Sequence, residues 1–280
     1  MSSSFVSSPL LRARSWLFTP ATRPERFANA AKNAADVLIV DLEDAVHSGE
    51  KAAARQTVRW LLETPPADSP VLAVRINALS TRFGLDDLAM LLDARRTPAF
   101  VLLPKVEAPA QIELLDALLE AAQKHCSIVP LIESARGLCA VEAIAASSPR
   151  VAALMFGAAD YASDVGAQPH SRALEIARCR IAAAAARAVV LAIDAPCFAI
   201  HDTGALQAEL AFARDNGFHA KATIHPTHIE AIHSAFSPSA ERIAWAHRVM
   251  AASGQGVGIV DECMIDEAMA REARRVLANA

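Results

Sequence analysis

Eight short apolar runs, each followed by a segment with helical character, constrain the fold of this chain most. The runs span residues 15–18, 37–41, 71–76, 100–103, 128–132, 152–156, 189–193 and 219–224. Apolar runs of this length between turn-forming residues are typical of buried parallel strands. Strands that alternate with helices form a parallel sheet. Eight such units predict an α/β fold, a (β/α)8 TIM barrel over residues 12–236.

An open doubly wound sheet is the competing architecture for alternating strands and helices. That fold carries a glycine-rich phosphate turn after its first strand. Residues 19–22, which follow the first run here, read Thr-Pro-Ala-Thr and contain no glycine. The barrel is therefore favoured.

The two ends of the chain fall outside this repeat. Residues 1–11 are rich in serine, and we expect a disordered tail there. Residues 237–280 carry two more helical segments, separated by a glycine-rich turn at 254–258. We expect these residues to form a C-terminal helical extension that reaches a neighbouring subunit, most simply in a homotrimer.

Composition argues against several classes of protein. The chain has 280 residues and a net charge of −4, so it offers no basic face for nucleic acid. No run reaches the roughly 18 apolar residues of a membrane-spanning helix. The five cysteines form no C-x-x-C pair. Scattered cysteines in a chain of this size predict reduced thiols and a cytoplasmic location.

Charged and polar residues gather where the predicted strands end. Barrel enzymes place the active site at this carboxyl-terminal face of the strands. Glu133 and Asp160 follow consecutive strands, and converging carboxylates repel each other unless a cation lies between them. Because Mg²⁺ takes oxygen ligands, often from only one or two protein carboxylates, the pair predicts a magnesium site. The alternative is two unrelated acids, one at a helix start and one in a turn. The full strand-end set is Asp41, Glu43, Asp44, Arg75, Asn77, Lys105, Glu133, Asp160, Asp194 and His225.

Several members of this set also have simple structural explanations. Lys105 would then only neutralise nearby acids, and His225 would only cap the last barrel helix. Arg75 differs from them, because an arginine at a strand end can hold a substrate carboxylate through two parallel hydrogen bonds.

A family resemblance runs through the chain from residue 14 to residue 266. It rests on the segments RSWLFTPATRPER, VLIVDLEDAVHSGEK, VRIN, LLPKVE, IVPLIESARG, MFGAADYA, FHAKATIHPTHI and AFSPSAERIAWA. These segments resemble the citrate lyase beta-subunit family, which includes citryl-CoA, malyl-CoA and citramalyl-CoA lyases within the HpcH/HpaI aldolase superfamily. The resemblance implies a (β/α)8 barrel and bound Mg²⁺. It also implies reversible cleavage of a 3-hydroxyacyl-CoA thioester, through a thioester enolate, into an acyl-CoA and a 2-oxo acid.

The resemblance also implies roles for individual residues. Glu133 and Asp160 fall on the family's metal-ligand positions, and Arg75 falls on its arginine for the substrate carboxylate. Asp261 matches an aspartate that works in the active site of the adjacent subunit, where we expect it to carry the hydroxyl proton.

Four further residues are expected to support the site. Glu43 and Asp44 would orient metal-bound water, and Arg23 and Arg26 would bind the phosphates of CoA. The two arginines have a simpler explanation as solvated helix residues.

Several departures from the family pattern, Ala220 in place of a glycine among them, lie towards the substrate and the subunit contact. Glu262 and Cys263 replace a Gly-Lys pair after Asp261, which restricts the backbone and adds two units of negative charge beside that carboxylate. Ala159 stands where a glutamate is common, and residues 195–198 differ from the usual run. We therefore expect metal and 2-oxo acid binding, but weak activity on citryl-, malyl- or citramalyl-CoA.

Two other functions stay open. One is a metal-dependent aldolase that acts on a free hydroxy-oxo acid without CoA. The other is a non-catalytic subunit, which the intact Glu133, Asp160 and Arg75 argue against. The sequence leaves open the acyl group, the oxo acid and the thioester carrier.

Overall fold

The computed structural model describes residues 13–66, 69–253, 258–261 and 263–278. Eight strands form one closed barrel in chain order, and every neighbouring pair is parallel. The predicted (β/α)8 barrel is thereby confirmed, whereas the predicted tail at residues 1–11 lies outside the described residues. The strands are β1 Ser15–Pro20, β2 Val37–Asp41, β3 Val71–Arg75, β4 Phe100–Leu103, β5 Ser127–Ile132, β6 Ala153–Phe156, β7 Leu191–Asp194 and β8 Ala220–Thr223.

Helices connect and follow these strands. Several begin at a side chain that caps the free backbone N–H groups of the first turn. Thr81, Ser134 and Asp202 each accept a hydrogen bond from the backbone N–H three residues later, at 3.0, 3.0 and 2.9 Å. The helices are α1 Phe27–Lys32, α2 Lys51–Glu63, α3 Arg82–Asp93, α4 Pro109–Ala121, α5 Ala135–Cys139, α6 Val141–Ala145, α7 Ala158–Val165, α8 Arg172–Ala188, α9 Thr203–Asp215, α10 Ile229–Phe236, α11 Ala240–Ser253 and α12 Glu267–Ala278.

Alternation along the strands fills the barrel. Successive side chains of a strand point to opposite faces, so every second residue points inward. One buried cluster contains alternate residues of all eight strands, and it forms the interior of the barrel. Its largest members are Trp16 and Phe100, whose ring centroids lie 5.1 Å apart. The intervening residues of each strand therefore face the helices.

Pro130 interrupts one ladder of the barrel. It lies inside β5 and pairs with Leu103 of β4. On the other side, β5 pairs with β6 only at Leu131 and Ile132, apart from an isolated bridge at Ile128. Proline has no backbone N–H to donate, which accounts for a gap at this point of the sheet.

The C-terminal residues form a second compact unit. The first unit ends at Ile232 and the second begins at His233. In the second unit, α11 and α12 pack with an antiparallel hairpin of β9 Gly258–Val260 and β10 Cys263–Ile265. The extension is therefore not purely helical, in contrast to our expectation. The domain boundary at residues 236 and 237 and the reach to a neighbouring subunit stay predictions.

Within the described ranges, no helix combines the length and the apolar character that crossing a bilayer requires.

Candidate active site

The alternation that fills the barrel also selects the charged side chains that reach its mouth. Asp41 continues the inward face of Val37 and Ile39, and Arg75 continues that of Ala73. Both residues end their strands, and they are directly paired in the β2–β3 register. An acid and a base from neighbouring strands are thus set side by side at the carboxyl-terminal end of the barrel.

Arg75 is held by two acids of the β2 end. Its Nε and Nη2 donate to the two carboxylate oxygens of Asp41 at 2.7 and 2.6 Å. Its Nη1 lies 2.9 Å from Glu43 Oε2, and its guanidinium lies 4.9 Å from the Phe18 ring. Burial alone would lower the pKa of Arg75, but the charge and hydrogen bonds of Asp41 and the charge of Glu43 outweigh burial and raise it. Arg75 is therefore a permanent cation in a defined orientation.

Glu43 links Arg75 to Lys105. It is buried, and its Oε1 accepts a hydrogen bond from Lys105 Nζ at 2.8 Å. Its Oε2 lies near Arg75 without the alignment of a hydrogen bond, and the described residues provide no hydrogen-bond partner for it. Burial raises the pKa of Glu43, although Arg75 and Lys105 oppose the shift. Asp44 is exposed, with its Oδ2 3.6 Å from the same Nζ.

Glu133, the first residue after β5, is buried at the barrel mouth. Its Oε1 accepts a hydrogen bond from the backbone N–H of Lys105 at 2.6 Å. Burial, followed by the charge of Glu43, raises the pKa of Glu133 to about 8. Gly157 makes room for this side chain, because a Cβ there would lie 2.4 Å from Glu133 Oε2 and 2.5 Å from Glu133 Cβ.

Asp160 shares a cavity with Glu133. Asp160 lies in the first turn of α7, and the cavity has a volume of about 280 Å³. Within the described part of the chain, no group of three or more His, Cys, Asp or Glu side chains is arranged to hold a metal ion. Two carboxylates with room for water and substrate fit Mg²⁺, which commonly takes only one or two carboxylates from a protein. The cavity is lined by Lys105, Glu107, Glu133, Ser134, Asp160, Ser163 and Asp164.

A larger cavity of about 580 Å³ lies on the other face of α7. Ala158, Ala159 and Ala162 line it, whereas Asp160 lines the smaller cavity. The larger cavity is mostly apolar and contains neither Glu133 nor Asp160. The smaller cavity is the candidate active site, because the predicted residues Glu133 and Asp160 both line it.

A buried lysine that the sequence did not single out supports the β2 end. Lys51 Nζ donates to the backbone oxygens of Leu42 and Glu43 and to Asn77 Oδ1, each at 2.7 Å. Asn77 in turn donates to Asp87 at 2.6 Å. These bonds hold the chain segment that carries Glu43. In the sequence, Lys51 is only a lysine at the start of an amphipathic helix. A lysine at such a position is ordinarily solvated, so its buried role was not predictable.

Asp194 does not belong to the mouth. It lies within β7, next to the inward-facing Ile193, so its side chain points to the helix layer. There it accepts hydrogen bonds from Arg178 at 2.9 and 2.7 Å and from Lys221 at 2.6 Å. Its grouping with the strand-end residues is corrected, because the alternation of β7 places its side chain on the outward face.

The remaining predicted residues lie on exposed or separate parts of the structure. Arg23 and Arg26 are exposed between β1 and α1. His225 accepts a hydrogen bond from the Thr227 backbone N–H at 3.4 Å, as a cap of the short 3-10 turn before α10. Its role as a cap was one of the two possibilities considered above.

Asp261 lies in the turn between β9 and β10. Its φ of 50° falls in the left-handed region. Its Oδ2 lies 2.7 Å from Nη2 of Arg248 on α11, and both side chains are about half exposed. Glu262 lies outside the described residues, and of Cys263 only the backbone is described.

Comparison with known proteins identifies the family. The model of the HpcH/HpaI aldolase/citrate lyase family matches residues 14–226. A citrate lyase subunit beta-like protein of Mycobacterium tuberculosis is 39% identical over 275 residues, which is 95% of this chain and 94% of the relative. In Cereibacter sphaeroides, a (3S)-malyl-CoA thioesterase is 33% identical and an L-malyl-CoA/beta-methylmalyl-CoA lyase 31% identical, each over 95% of this chain and 94% of the relative.

Solved structures show the same fold. CitE of Mycobacterium tuberculosis, in complex with magnesium, acetoacetate and coenzyme A, is 36% identical with a TM-score of 0.80. That match covers 96% of this chain and 98% of CitE. RipC of Yersinia pestis is 44% identical with a TM-score of 0.74, over 83% of this chain and 99% of RipC.

These findings confirm the predicted resemblance, the predicted barrel and the predicted class of enzyme, a magnesium-dependent carbon–carbon lyase of CoA thioesters. The chain belongs to the HpcH/HpaI aldolase/citrate lyase family.

Proposed function

We propose that this chain cleaves a 3-hydroxyacyl-CoA thioester into an acyl-CoA and a 2-oxo acid, and that its active site lies at the Glu133–Asp160 cavity. The observation that carries this proposal is the convergence of three groups at one barrel end. Glu133 and Asp160 line one cavity, and Arg75 is held as a cation through Glu43, which also contacts the cavity residue Lys105. A metal, a substrate carboxylate and a hydroxyl can be bound by such a set.

Glu133 and Asp160 are the residues that would hold Mg²⁺. Gly157 leaves the space that the Glu133 side chain needs. When bound, Mg²⁺ supplies Lewis-acid polarisation of the substrate oxygens and a template for their orientation. Glu43 and Asp44 then orient water at that centre.

Arg75 binds the carboxylate that becomes part of the 2-oxo acid. Asp41 holds the Nε side of the guanidinium and Glu43 Oε2 lies 2.9 Å from Nη1, so one N–H of Nη1 and one N–H of Nη2 remain for the substrate. Arg23 and Arg26, exposed between β1 and α1, bind the phosphates of CoA.

Asp261 carries the proton of the reaction from an adjacent subunit. It removes the proton of the substrate hydroxyl, and the oxygen forms the carbonyl of the 2-oxo acid. The electron pair of the broken carbon–carbon bond moves onto the thioester as its enolate. Asp261 then returns the proton that it has taken to the α-carbon of this enolate. Condensation follows the same path in reverse.

An adjacent subunit requires an oligomer, and we propose a homotrimer. The support is the C-terminal unit, which carries Asp261 outside the barrel. A monomer in light scattering at micromolar concentration would contradict this assembly. The cytoplasmic location also stays a prediction.

A panel of thioesters tests the function. The wild-type chain is assayed with citryl-, malyl- and citramalyl-CoA and with free hydroxy-oxo acids, in Mg²⁺ and in EDTA. Both the 2-oxo acid and free CoA are measured, because one relative is a malyl-CoA thioesterase. That name denotes hydrolysis of the thioester bond rather than cleavage of the carbon–carbon bond. Release of oxo acid from a CoA thioester, only with Mg²⁺, is expected. Activity on free acids alone, or no activity with any substrate, would contradict the proposal.

A further inference from the structure

Lys105 has an unusual backbone for its residue type. It follows β4 after Pro104, and its φ is 54°, in the left-handed region that glycine and asparagine tolerate best. Residues held in such conformations collect at functional sites, where surrounding contacts maintain them. A specific requirement for the lysine side chain would account for its presence here.

That conformation lets one residue contact two different acids of the site. The Lys105 backbone N–H donates to Glu133 Oε1 at 2.6 Å, while its Nζ donates to Glu43 Oε1 at 2.8 Å. The backbone therefore orients a proposed metal ligand. The ammonium is placed beside Glu43, the residue that also contacts Arg75.

The ammonium retains donors for a ligand. A lysine has three N–H donors, and the hydrogen bonds of the described residues use one of them, to Glu43. Asp44 lies at 3.6 Å, an ion-pair distance rather than a hydrogen bond. The side chain is 45% exposed, so the remaining donors are accessible to a substrate.

Charge gives Lys105 a distinct place in this cavity. Among the described residues that line it, Lys105 is the one cation, beside Glu107, Glu133, Asp160 and Asp164. The reaction develops negative charge on the thioester oxygen as the enolate forms. In the proposed function the metal binds the hydroxyl end of the substrate and Arg75 binds the carboxylate. These two roles assign no positive partner to the enolate oxygen.

We propose that the Lys105 ammonium is that partner, a catalytic residue that binds the thioester carbonyl oxygen and stabilises the enolate. This proposal rests on the proposed function. A fixed donor aimed at an oxygen that gains charge lowers the barrier most when water is excluded. The proton of the ammonium stays on nitrogen, so the step requires no additional acid or base.

Lys105→Met tests the proposal because it keeps the length of the side chain and removes the charge. Every non-proline replacement keeps the backbone N–H that bonds to Glu133, so calorimetry should still detect Mg²⁺ binding. The informative readout is exchange of the α-protons of acetyl-CoA or propionyl-CoA with D₂O, which requires the enolate but no carbon–carbon cleavage. We expect this exchange and kcat for cleavage to fall roughly 100- to 1000-fold, as on loss of an oxyanion donor. Lys105→Arg should retain a larger share of both, and Lys32→Met, on the exposed end of α1, is the matched control.

A double-mutant cycle distinguishes catalysis from mere neutralisation of Glu43. If Lys105 only neutralises that acid, Glu43→Gln with Lys105→Met should be no slower than Glu43→Gln alone. If Lys105 binds the enolate oxygen, the double variant loses a further factor similar to that of the single lysine variant. If the wild type catalyses the exchange and Lys105→Met catalyses it equally well, the role of Lys105 is overturned and the proposed function is not. A wild-type chain that shows neither exchange nor cleavage would overturn the proposed function together with it.

Discussion

Arg75 and Asp41 form a two-point ion pair, with Nε and Nη2 of the guanidinium 2.7 and 2.6 Å from the two carboxylate oxygens. Asp41 itself is fixed by the backbone N–H groups of Glu43 and Ala45, at 2.9 and 3.2 Å. The β2–β3 register places the two residues opposite each other. The Nε edge of the guanidinium is therefore occupied within the protein. Because Nη1 also lies 2.9 Å from Glu43 Oε2, a substrate carboxylate would have to share the guanidinium with both acids, and its binding by Arg75 stays a prediction.

Replacing Arg75 by lysine should weaken binding of 2-oxo acids. The lysine ammonium keeps the charge of Arg75. It lacks the planar guanidinium that can contact Asp41, Glu43 and a substrate carboxylate at the same time. Hydrogen bonds to charged groups contribute about 1.5–3 kcal/mol, so we expect an affinity loss of about tenfold or more. Calorimetry with pyruvate, glyoxylate and oxaloacetate in Mg²⁺ measures it, and Arg59→Lys on α2 is the control. Equal affinities of wild type and Arg75→Lys would remove Arg75 from the substrate site.

Removing either carboxylate of the cavity should abolish Mg²⁺ binding. Glu133→Gln and Asp160→Asn keep the shape of the side chains and remove the charge that a hard cation needs. Calorimetric titration with Mg²⁺ should show no binding in either variant, while circular dichroism shows an intact fold. Asp164→Asn, which neutralises another acid of the same cavity, is the control. Unchanged affinity in both variants would show that the metal lies elsewhere.

Gly157 should be needed for steric reasons. Its φ is −101°, which any residue can adopt, so an alanine would bring no backbone strain. Its Cβ would nevertheless lie 2.5 Å from Glu133 Cβ, an atom that cannot move without the β5 end. We expect Gly157→Ala to cost about 1–3 kcal/mol in unfolding free energy and to weaken Mg²⁺ binding. Gly49→Ala is the control, since a Cβ there meets only His47 Nδ1 at 3.6 Å. Equal Tm and equal Mg²⁺ affinity in the two variants would contradict this prediction.

Stabilisation by Mg²⁺ should grow with pH. The pKa of Glu133 rises from 4.5 in its unperturbed state to about 8 in the metal-free fold, mainly because of burial. Between these values the folded chain binds a proton that the unfolded chain has lost, so this group makes the metal-free fold less stable as pH rises. Below about pH 8, Mg²⁺ must displace that proton, whereas above it the carboxylate is already ionised.

The increase in Tm on adding Mg²⁺ should therefore be larger at pH 9 than at pH 6.5. Thermal unfolding with and without Mg²⁺ at both values provides the measurement. Glu133→Gln should remove the effect at both. A wild-type increase that is independent of pH would contradict the assignment of Glu133.

The features that could be predicted from sequence are those set by local pattern. Eight apolar runs specified the barrel because strand length, turn residues and helix starts agreed along the chain. The placing of Arg75 and Glu133 at one mouth followed from the strand ends. Several strand ends differ by one or two residues from the predicted ends. Asp194 was grouped with the mouth, but the alternation of β7 turns its side chain to the outward face. Features that depend on distant pairs were not predictable, as with Lys51, whose three acceptors come from the ends of β2 and β3.

Two elements were missed because their local signals are weak. Helix α7 begins within the Gly-Ala-Ala-Asp segment, which resembles a turn, yet it sets Asp160 on the face opposite Ala158 and Ala162. The β9–β10 hairpin has strands of three residues, too short for a visible alternation. Its turn contains Asp261 at positive φ, which aspartate tolerates better than most residues.

Asp261 is the proposed proton carrier, and in this structure Arg248 is its partner. The two side chains are about half exposed, so the pair contributes little to stability and can open. When the pair is open, the Asp261 carboxylate is available to a neighbouring subunit. Glu262 and Cys263 replace the Gly-Lys pair of the family, and this replacement makes the sequence next to Asp261 more negative. We therefore predict slow turnover of citryl-, malyl- and citramalyl-CoA by the wild-type chain.

Three variants test the role of Asp261. Asp261→Asn should lower kcat about 100-fold or more, as on loss of a general base. Glu262→Gly with Cys263→Lys should raise kcat, because it restores both the backbone freedom and the positive charge. Arg248→Gln should change kcat without changing Mg²⁺ affinity, and Arg271→Gln on α12 is its control. Fast turnover by the wild type would show that the altered neighbours do not matter, and full turnover in Asp261→Asn would show that another group carries the proton.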